Sequence, residues 1–330
     1  MSAPSAPVLD VSDLRVGFAS GTQAVRGISL TITRGETHCV VGESGCGKSA
    51  TSLAIMNLLA KGATRSAGAI RFQGQDISRL SDRQMRPLRG NKMAMIFQEP
   101  MTSLNPAYTI GSQMAEVFQR HRSGSRAQAL DRAAVLLQRV EIAAPAMRLA
   151  QYPHELSGGL RQRVMIALAL MCEPELLIAD EPTTALDVTV QAQILHLLNS
   201  LREESGLAIL LITHDMGIVA RMAHRVSVMY AGEIIESGTA EAVFSSPCHP
   251  YTRGLLDCIP VPGKQRRDQP LPIIRGVVPR MTAAFGGCAF RERCDHAVAS
   301  CAQDIAPRSA SHHHAYRCRL APDVLQGASA

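Results

Sequence analysis

The stretch Gly42-Glu43-Ser44-Gly45-Cys46-Gly47-Lys48-Ser49 fits the pattern G-x-x-x-x-G-K-[ST] and constrains this chain more than any other segment. Glycines let a backbone fold tightly enough for successive N–H groups and a helix N-terminus to point at one negative charge, which is how proteins cradle phosphates. In this pattern Lys48 reaches the β- and γ-phosphates and the Ser49 hydroxyl takes Mg²⁺. A chance match is the competing reading, because glycines and a Lys-Ser pair also occur in ordinary turns. The surroundings favour phosphate: Glu36 to Val41 reads as a short strand, and Ser49 to Leu59 has helical apolar spacing.

At 330 residues, with 46% hydrophobic and 19% charged residues, the chain is of globular type and has room for a large domain and a smaller one. The longest apolar run, Val164 to Cys172, is nine residues, well short of the roughly 20 that span a bilayer. Met1 to Pro7 lacks a basic and an apolar region, so a cytoplasmic chain is expected. In a reducing compartment a cysteine cluster points to a metal site before disulfides, and this chain has nine cysteines. The net charge of +6 is spread along the chain, which reads as a solvated surface and not as a nucleic-acid face.

Taken in order, Val8 to Phe18 and Ala24 to Ile32 partly alternate and are separated by Gly21, predicting an antiparallel hairpin. Phe18 is either a core residue or an aromatic plate under an adenine ring. Ala69 to Phe72 and Met93 to Phe97 read as strands, the latter delivering Gln98-Glu99-Pro100 to a loop. Ile110 to Arg148 is helical, with a break at Ser123-Gly124-Ser125, and Leu156-Ser157-Gly158-Gly159 opens a further helix, Leu160 to Cys172. That glycine turn is a second potential anion site or simply a cap.

Leu176 to Ala179 reads as a buried strand ending in Asp180-Glu181. Two carboxylates there are costly unless a metal, a reaction or an ion pair uses them. With a phosphate loop in the same chain, Asp180 is placed to hold Mg²⁺ and Glu181 to orient or deprotonate a water. Val188 to Arg202 reads as a helix and Leu207 to Ile212 as a strand that presents His214. A histidine in that position is either structural or a sensor of the γ-phosphate. Val226 to Tyr230 and Glu233 to Glu236 predict a closing hairpin, and beyond Ser245 prolines punctuate a loop-rich stretch. Strands alternating with helices predict an α/β fold with the ligand at the carboxyl ends of parallel strands.

Cys288, Cys294, Cys301 and Cys318 are spaced C-x₅-C-x₆-C-x₁₆-C. Either they are unrelated small core residues or they ligate a metal that cross-links a tail with little apolar periodicity. C-x₂-C pairs typical of zinc are missing, and irregular spacing suits an iron–sulfur cluster better. His312, His313 and His314 lie near Cys318 and read as a solvated turn or as alternative ligands.

Together these pieces resemble the nucleotide-binding subunit of an ATP-binding cassette (ABC) transporter, and the resemblance covers nearly the whole chain. Gly42 to Ser49 looks like the Walker A motif, Gln98 the Q-loop, and Leu156 to Gly159 the signature motif. Leu176 to Glu181 looks like Walker B with its catalytic glutamate, Ala185-Leu186-Asp187 the D-loop and His214 the switch histidine. The resemblance implies a P-loop ATPase core with an antiparallel β subdomain and an inserted helical subdomain. Residues 1–240 would form the cassette, its helical part spanning about 99–160, and residues 241–330 a small cysteine-containing extension.

It also implies that Gly42, Glu43, Ser44, Gly45, Cys46, Gly47, Lys48 and Ser49 bind ATP, with Phe18 under the base and Ser49, Gln98 and Asp180 around Mg²⁺. Glu181, His214 and Gln98 would be catalytic, and Ser157, Gly158 and Gly159 would serve the ATP held by a second ATPase subunit. Leu160 stands where many cassettes carry Gln, a departure expected to touch packing more than chemistry.

Within the family the likeness is to ATPase subunits of peptide importers, on Gln98-Glu99-Pro100-Met101-Thr102-Ser103-Leu104-Asn105-Pro106, on His249-Pro250-Tyr251-Thr252 and on the cysteine extension. Some of those carry a four-iron four-sulfur cluster in this extension, which implies one on Cys288, Cys294, Cys301 and Cys318. The implied partners are two membrane-spanning permease subunits, a second ATPase subunit (the same chain or another) and an external substrate-binding protein, with the chain on the cytoplasmic face of the inner membrane. Nickel or glutathione import, or a soluble cassette acting on DNA or ribosomes, are the alternatives. The latter usually carry two cassettes or long inserted arms, and this chain shows neither.

Overall fold

The computed structural model describes residues 6–98, 103–184, 186–259, 272–279, 282, 285–311 and 313–322. By its contacts the chain divides into two compact units, Met1–Leu9 with Ile32–Glu36 and Phe72–Ile212, and Asp10–Thr31 with Thr37–Arg71 and Thr213–Ala330.

The first unit is built on parallel strands Met93–Ile96, Leu176–Asp180 and Ala208–Thr213, paired in that order with Ile96 opposite Ala179 and Asp180 opposite Ile212. The last two strands are buried at every position, which is why they read as continuous apolar runs and not as alternating ones. Helices Ile110–His121, Arg126–Arg139 and Pro145–Ala150 pack on one another, and the first two also on Gly158–Ala169. Ile110 and Met114 on the first of these helices, and Ala129, Ala133, Leu136 and Leu137 on the second, are all buried at helical spacing. Each such leucine contributes roughly 1.5–3 kcal/mol by leaving water. The break near Ser123 ends at Ser125, whose side chain caps the next helix in a capping box with Gln128. Helix Val188–Ser205 starts at Asp187, which accepts from Val190 N at 2.9 Å, and stops at left-handed Gly206.

The second unit carries an antiparallel sheet in which Leu9–Phe18 lies between Gln23–Ile32 and Ala69–Phe72 and also pairs with Ala63–Ser66. The expected first hairpin is therefore present. The unit also holds Thr37–Val41, buried throughout, which runs parallel to Arg225–Tyr230. Arg225–Tyr230 turns through Ala231 and Gly232, both at positive φ, into Glu233–Thr239, the closing hairpin the sequence predicts.

Beyond residue 239 the described residues hold more regular structure than the proline punctuation suggests. Helices Ala240–Ser245 and Pro250–Asp257 form, the second opened by a His249 cap and a proline at its first position. The short strand His314–Tyr316 pairs with both Glu233–Thr239 and Arg308–Ser311. Four residues exposed throughout, as in Arg308–Ser311, give no period-2 signal, so only pairing makes them a strand. No described helix is long and apolar enough to cross a membrane.

Candidate functional site

The phosphate loop leaves the carboxyl end of Thr37–Val41 and enters the helix Lys48–Ile55. Glycine is obligatory at both ends. Gly47 has φ 108°, and a Cβ there would lie 2.2 Å from the Ala24 carbonyl oxygen; a Cβ on Gly42 would lie 2.1 Å from that of Met229. The Lys48 ammonium is buried and donates to the carbonyls of Gly42 (2.7 Å) and Glu43 (3.0 Å), drawing the loop around itself. Burial raises the Cys46 thiol, which stays neutral and places no competing charge beside Lys48. A buried ammonium, a serine hydroxyl and a helix N-terminus within one turn form a donor set that fits a polyphosphate.

In the first unit, the Leu176–Asp180 strand delivers Asp180 and Glu181, both largely shielded from water. Glu181 takes a left-handed backbone, φ 47°, while its N–H donates to the Ile212 carbonyl at 2.9 Å. A non-glycine residue held this way costs on the order of 1–2 kcal/mol, strain that the surroundings must over-determine. They do so at the side chain as well. Gln98 Nε2 donates to Glu181 Oε2 at 3.1 Å, and Thr184 Oγ1 donates to the same oxygen at 2.9 Å. The structure thus joins Gln98 to Glu181, and it adds Thr184, which the sequence reading missed because one hydroxyl three residues past a carboxylate has no distinguishing pattern.

Ser157 caps the helix Gly158–Ala169, accepting from Leu160 N at 3.4 Å, so the signature turn is a helix N-terminus with Ser157 and Gly158 exposed. A Cβ on Gly159 would press on Val190 at 3.0 Å, whereas one on Gly158 would meet nothing. His214 follows the Ala208–Thr213 strand and is exposed, and Phe18 ends its strand 38% exposed. Glu99 to Thr102, Ala185 and His312 lie outside the described residues.

A family model for ABC transporters matches residues 25–184, and a model of the oligopeptide/dipeptide transporter C-terminal region matches 235–301. A probable peptide ABC transporter ATP-binding protein of Sinorhizobium fredii is 50% identical over 302 residues, covering 90% of both chains. The chain is an ABC transporter ATP-binding protein. The dipeptide transport ATP-binding protein DppD of Bacillus subtilis is 48% identical to this cassette protein over 298 residues, 89% of this chain and 88% of that one. Among solved structures, cbiO1 of Clostridium perfringens superposes with a TM-score of 0.63 at 30% identity, over 72% of this chain and 91% of that one. A bacterial ABC transporter cassette solved as a dimer gives 0.63 at 27% identity, over 70% and 98%.

The iron–sulfur expectation is overturned. The names of the cassette's relatives give no sign of such a cluster; Cys288, Cys294, Cys301 and Cys318 are free thiols that together line one small cavity. Among the described residues the donor atoms that do converge, within 4.8 Å of one another, are those of Glu236, Cys248 and His314.

That trio is already satisfied: Glu236 accepts from Cys248 N (2.7 Å), His249 N (2.9 Å) and, at the ring, His314 Nε2 (2.7 Å). His314 is therefore buried and bonded, not part of a solvated turn. The extension packs through aromatic and apolar contacts. Phe290 stands edge-on to Tyr230 at 5.3 Å between centroids and tilted against Tyr251 at 5.3 Å, and Tyr316 and Cys318 are buried with Cys248.

Proposed function

We propose that this chain is the ATP-hydrolysing subunit of an importer of dipeptides or oligopeptides. What supports the reading most is Glu181, held in a strained backbone and bonded through one oxygen by Gln98 and Thr184. A carboxylate held in a fixed orientation is suited to accept a proton from an attacking water. In this reading Gly42 to Ser49 hold the phosphates, Lys48 neutralises their charge, and Phe18 takes the adenine. Ser49, Asp180 and Gln98 would hold Mg²⁺, which when bound neutralises charge developing on the phosphoryl oxygens. His214 would respond to the γ-phosphate. Residues 1–240 act as the cassette, with the helical part at about 99–160, and 241–330 as its extension.

The relatives named for peptide and dipeptide transport support the substrate class, as does the match over 235–301. As the ATPase of an importer the chain would work with membrane partners, and we assign two permease subunits, a second ATPase subunit served in trans by Ser157, Gly158 and Gly159, and an external binding protein. The complex places this chain on the cytoplasmic face of the inner membrane. The test is to isolate the chain with its membrane partners, reconstitute them in vesicles and follow ATP-dependent uptake. Uptake of labelled di- or tripeptides that Glu181→Gln abolishes is expected; uptake of nickel or glutathione in their place would overturn the peptide reading.

A further inference from the structure

Glu43, the second residue of the phosphate loop, is held at both ends by residues from the far side of the sequence. Its N–H donates to the Tyr251 hydroxyl at 2.9 Å. Its carboxylate receives both prongs of the Arg293 guanidinium, Nη1 to Oε2 at 2.7 Å and Nη2 to Oε1 at 2.9 Å. Arg293 spends its remaining donors on fixed partners: Nε on the Arg275 carbonyl (2.7 Å), Nη1 also on the Tyr230 hydroxyl (3.2 Å), and Nη2 also on the Ile274 carbonyl (3.2 Å). The guanidinium lies 5.7 Å from the centroids of both the Tyr230 and Phe290 rings, and its side chain is 6% exposed. A planar fork with every donor used and two aromatic rings beside it is a pre-organised anchor, unlike a flexible surface pair.

The chemistry of this contact is pointed. A loop that receives a polyphosphate carries a carboxylate, and the carboxylate is 27% exposed. Left alone, that charge repels the ligand through the low-dielectric edge of the loop and is free to bond the loop's own N–H groups. We propose that Arg293 is a positioning residue for nucleotide binding: it neutralises Glu43 and fixes that carboxylate away from the N–H groups that meet the phosphates. The C-terminal extension thereby sets the ATP affinity of the loop. This inference rests on the phosphate-loop reading above.

The test measures affinity of the purified full-length chain for a fluorescent ATP analogue, together with ATPase kinetics and melting temperature. Arg293→Ala is expected to weaken binding about tenfold at low salt and less at high salt, with kcat at saturating ATP within about twofold of wild type. Adding Glu43→Gln to Arg293→Ala removes the stranded charge and is expected to bring affinity back to within about threefold of wild type. A double variant as weak as Arg293→Ala would mean that Arg293 only supports the fold, and would overturn the proposal.

Should Arg293→Ala fail to fold, Arg293→Gln decides: it keeps an amide donor without the charge and is expected to weaken binding several-fold at low salt and less at high salt. Binding within about twofold of wild type at low salt overturns the proposal. Lys48→Ala is the control: normal binding in that variant overturns the phosphate-loop reading itself, whereas lost binding there with normal binding in Arg293→Ala overturns this inference alone.

Discussion

Gln98 and Glu181, 83 positions apart, meet through a single 3.1 Å hydrogen bond in which the amide donates to the carboxylate. Thr184 donates to the same Glu181 oxygen, so one oxygen of the catalytic candidate is tied twice while its backbone sits in the left-handed region. Parallel pairing places Ile96 opposite Ala179, bringing the loop after one strand beside the end of the next.

Glu181→Gln keeps the shape and loses the base. ATP binding should stay within about threefold of wild type while turnover falls by roughly 10²–10⁴. Single-turnover hydrolysis checks this, and a variant retaining most of the rate would remove Glu181 from the chemistry.

Thr184→Val removes one of the bonds that orient Glu181 without removing the carboxylate. We expect kcat to fall several-fold with KM for ATP little changed, an effect of about 1 kcal/mol on the barrier. A change confined to KM would place Thr184 outside the orientation of Glu181.

Gly47→Ala asks an L-residue to adopt φ 108° with its Cβ against the Ala24 carbonyl. The loop must open, so ATP binding should be lost and the midpoint of thermal unfolding should drop. Unchanged binding would contradict the loop geometry.

Gly158→Asp adds a carboxylate where the chain leaves open space, so the variant should fold normally and fail only toward a partner's nucleotide. Mixed with Lys48→Ala chains, dimers containing one of each keep one site free of both lesions and should regain ATPase activity. Absence of recovery in proven mixed dimers would argue against action in trans.

His249 is fully buried with Nδ1 accepting from Tyr251 N at 3.1 Å, and burial pulls its pKa down to about 3. A histidine whose folded pKa lies below its unfolded value near 6.5 lets the unfolded chain bind the extra proton. Stability should therefore be level above about pH 6.5 and fall toward pH 3, by up to about 1.4 kcal/mol per pH unit from this group. His249→Asn, which retains a cap acceptor but does not titrate, should flatten that slope in urea denaturation measured across the range. An unchanged slope would exclude His249 as the source.

The phosphate loop, the buried strand ending at Asp180-Glu181 and the capped helices between Ile110 and Ala169 were legible in the chain because each depends on neighbours in sequence. Glycines at set intervals, an uninterrupted apolar run and apolar residues at helical spacing are local requirements. The four cysteines were legible as a cluster in sequence, and the fold gathers them at one small cavity; the iron–sulfur group read from their spacing finds no support in the names of the relatives, because spacing alone does not say what such thiols hold.

Tertiary structure alone decided the rest. It chose which donors reach Glu181, buried His314 against Glu236, made a strand of His314–Tyr316, and set Arg293 on Glu43 across 250 positions. The physical reason is the same in each case: a buried charge or unpaired backbone must find a partner wherever the fold brings one, and no local pattern encodes which residue that will be.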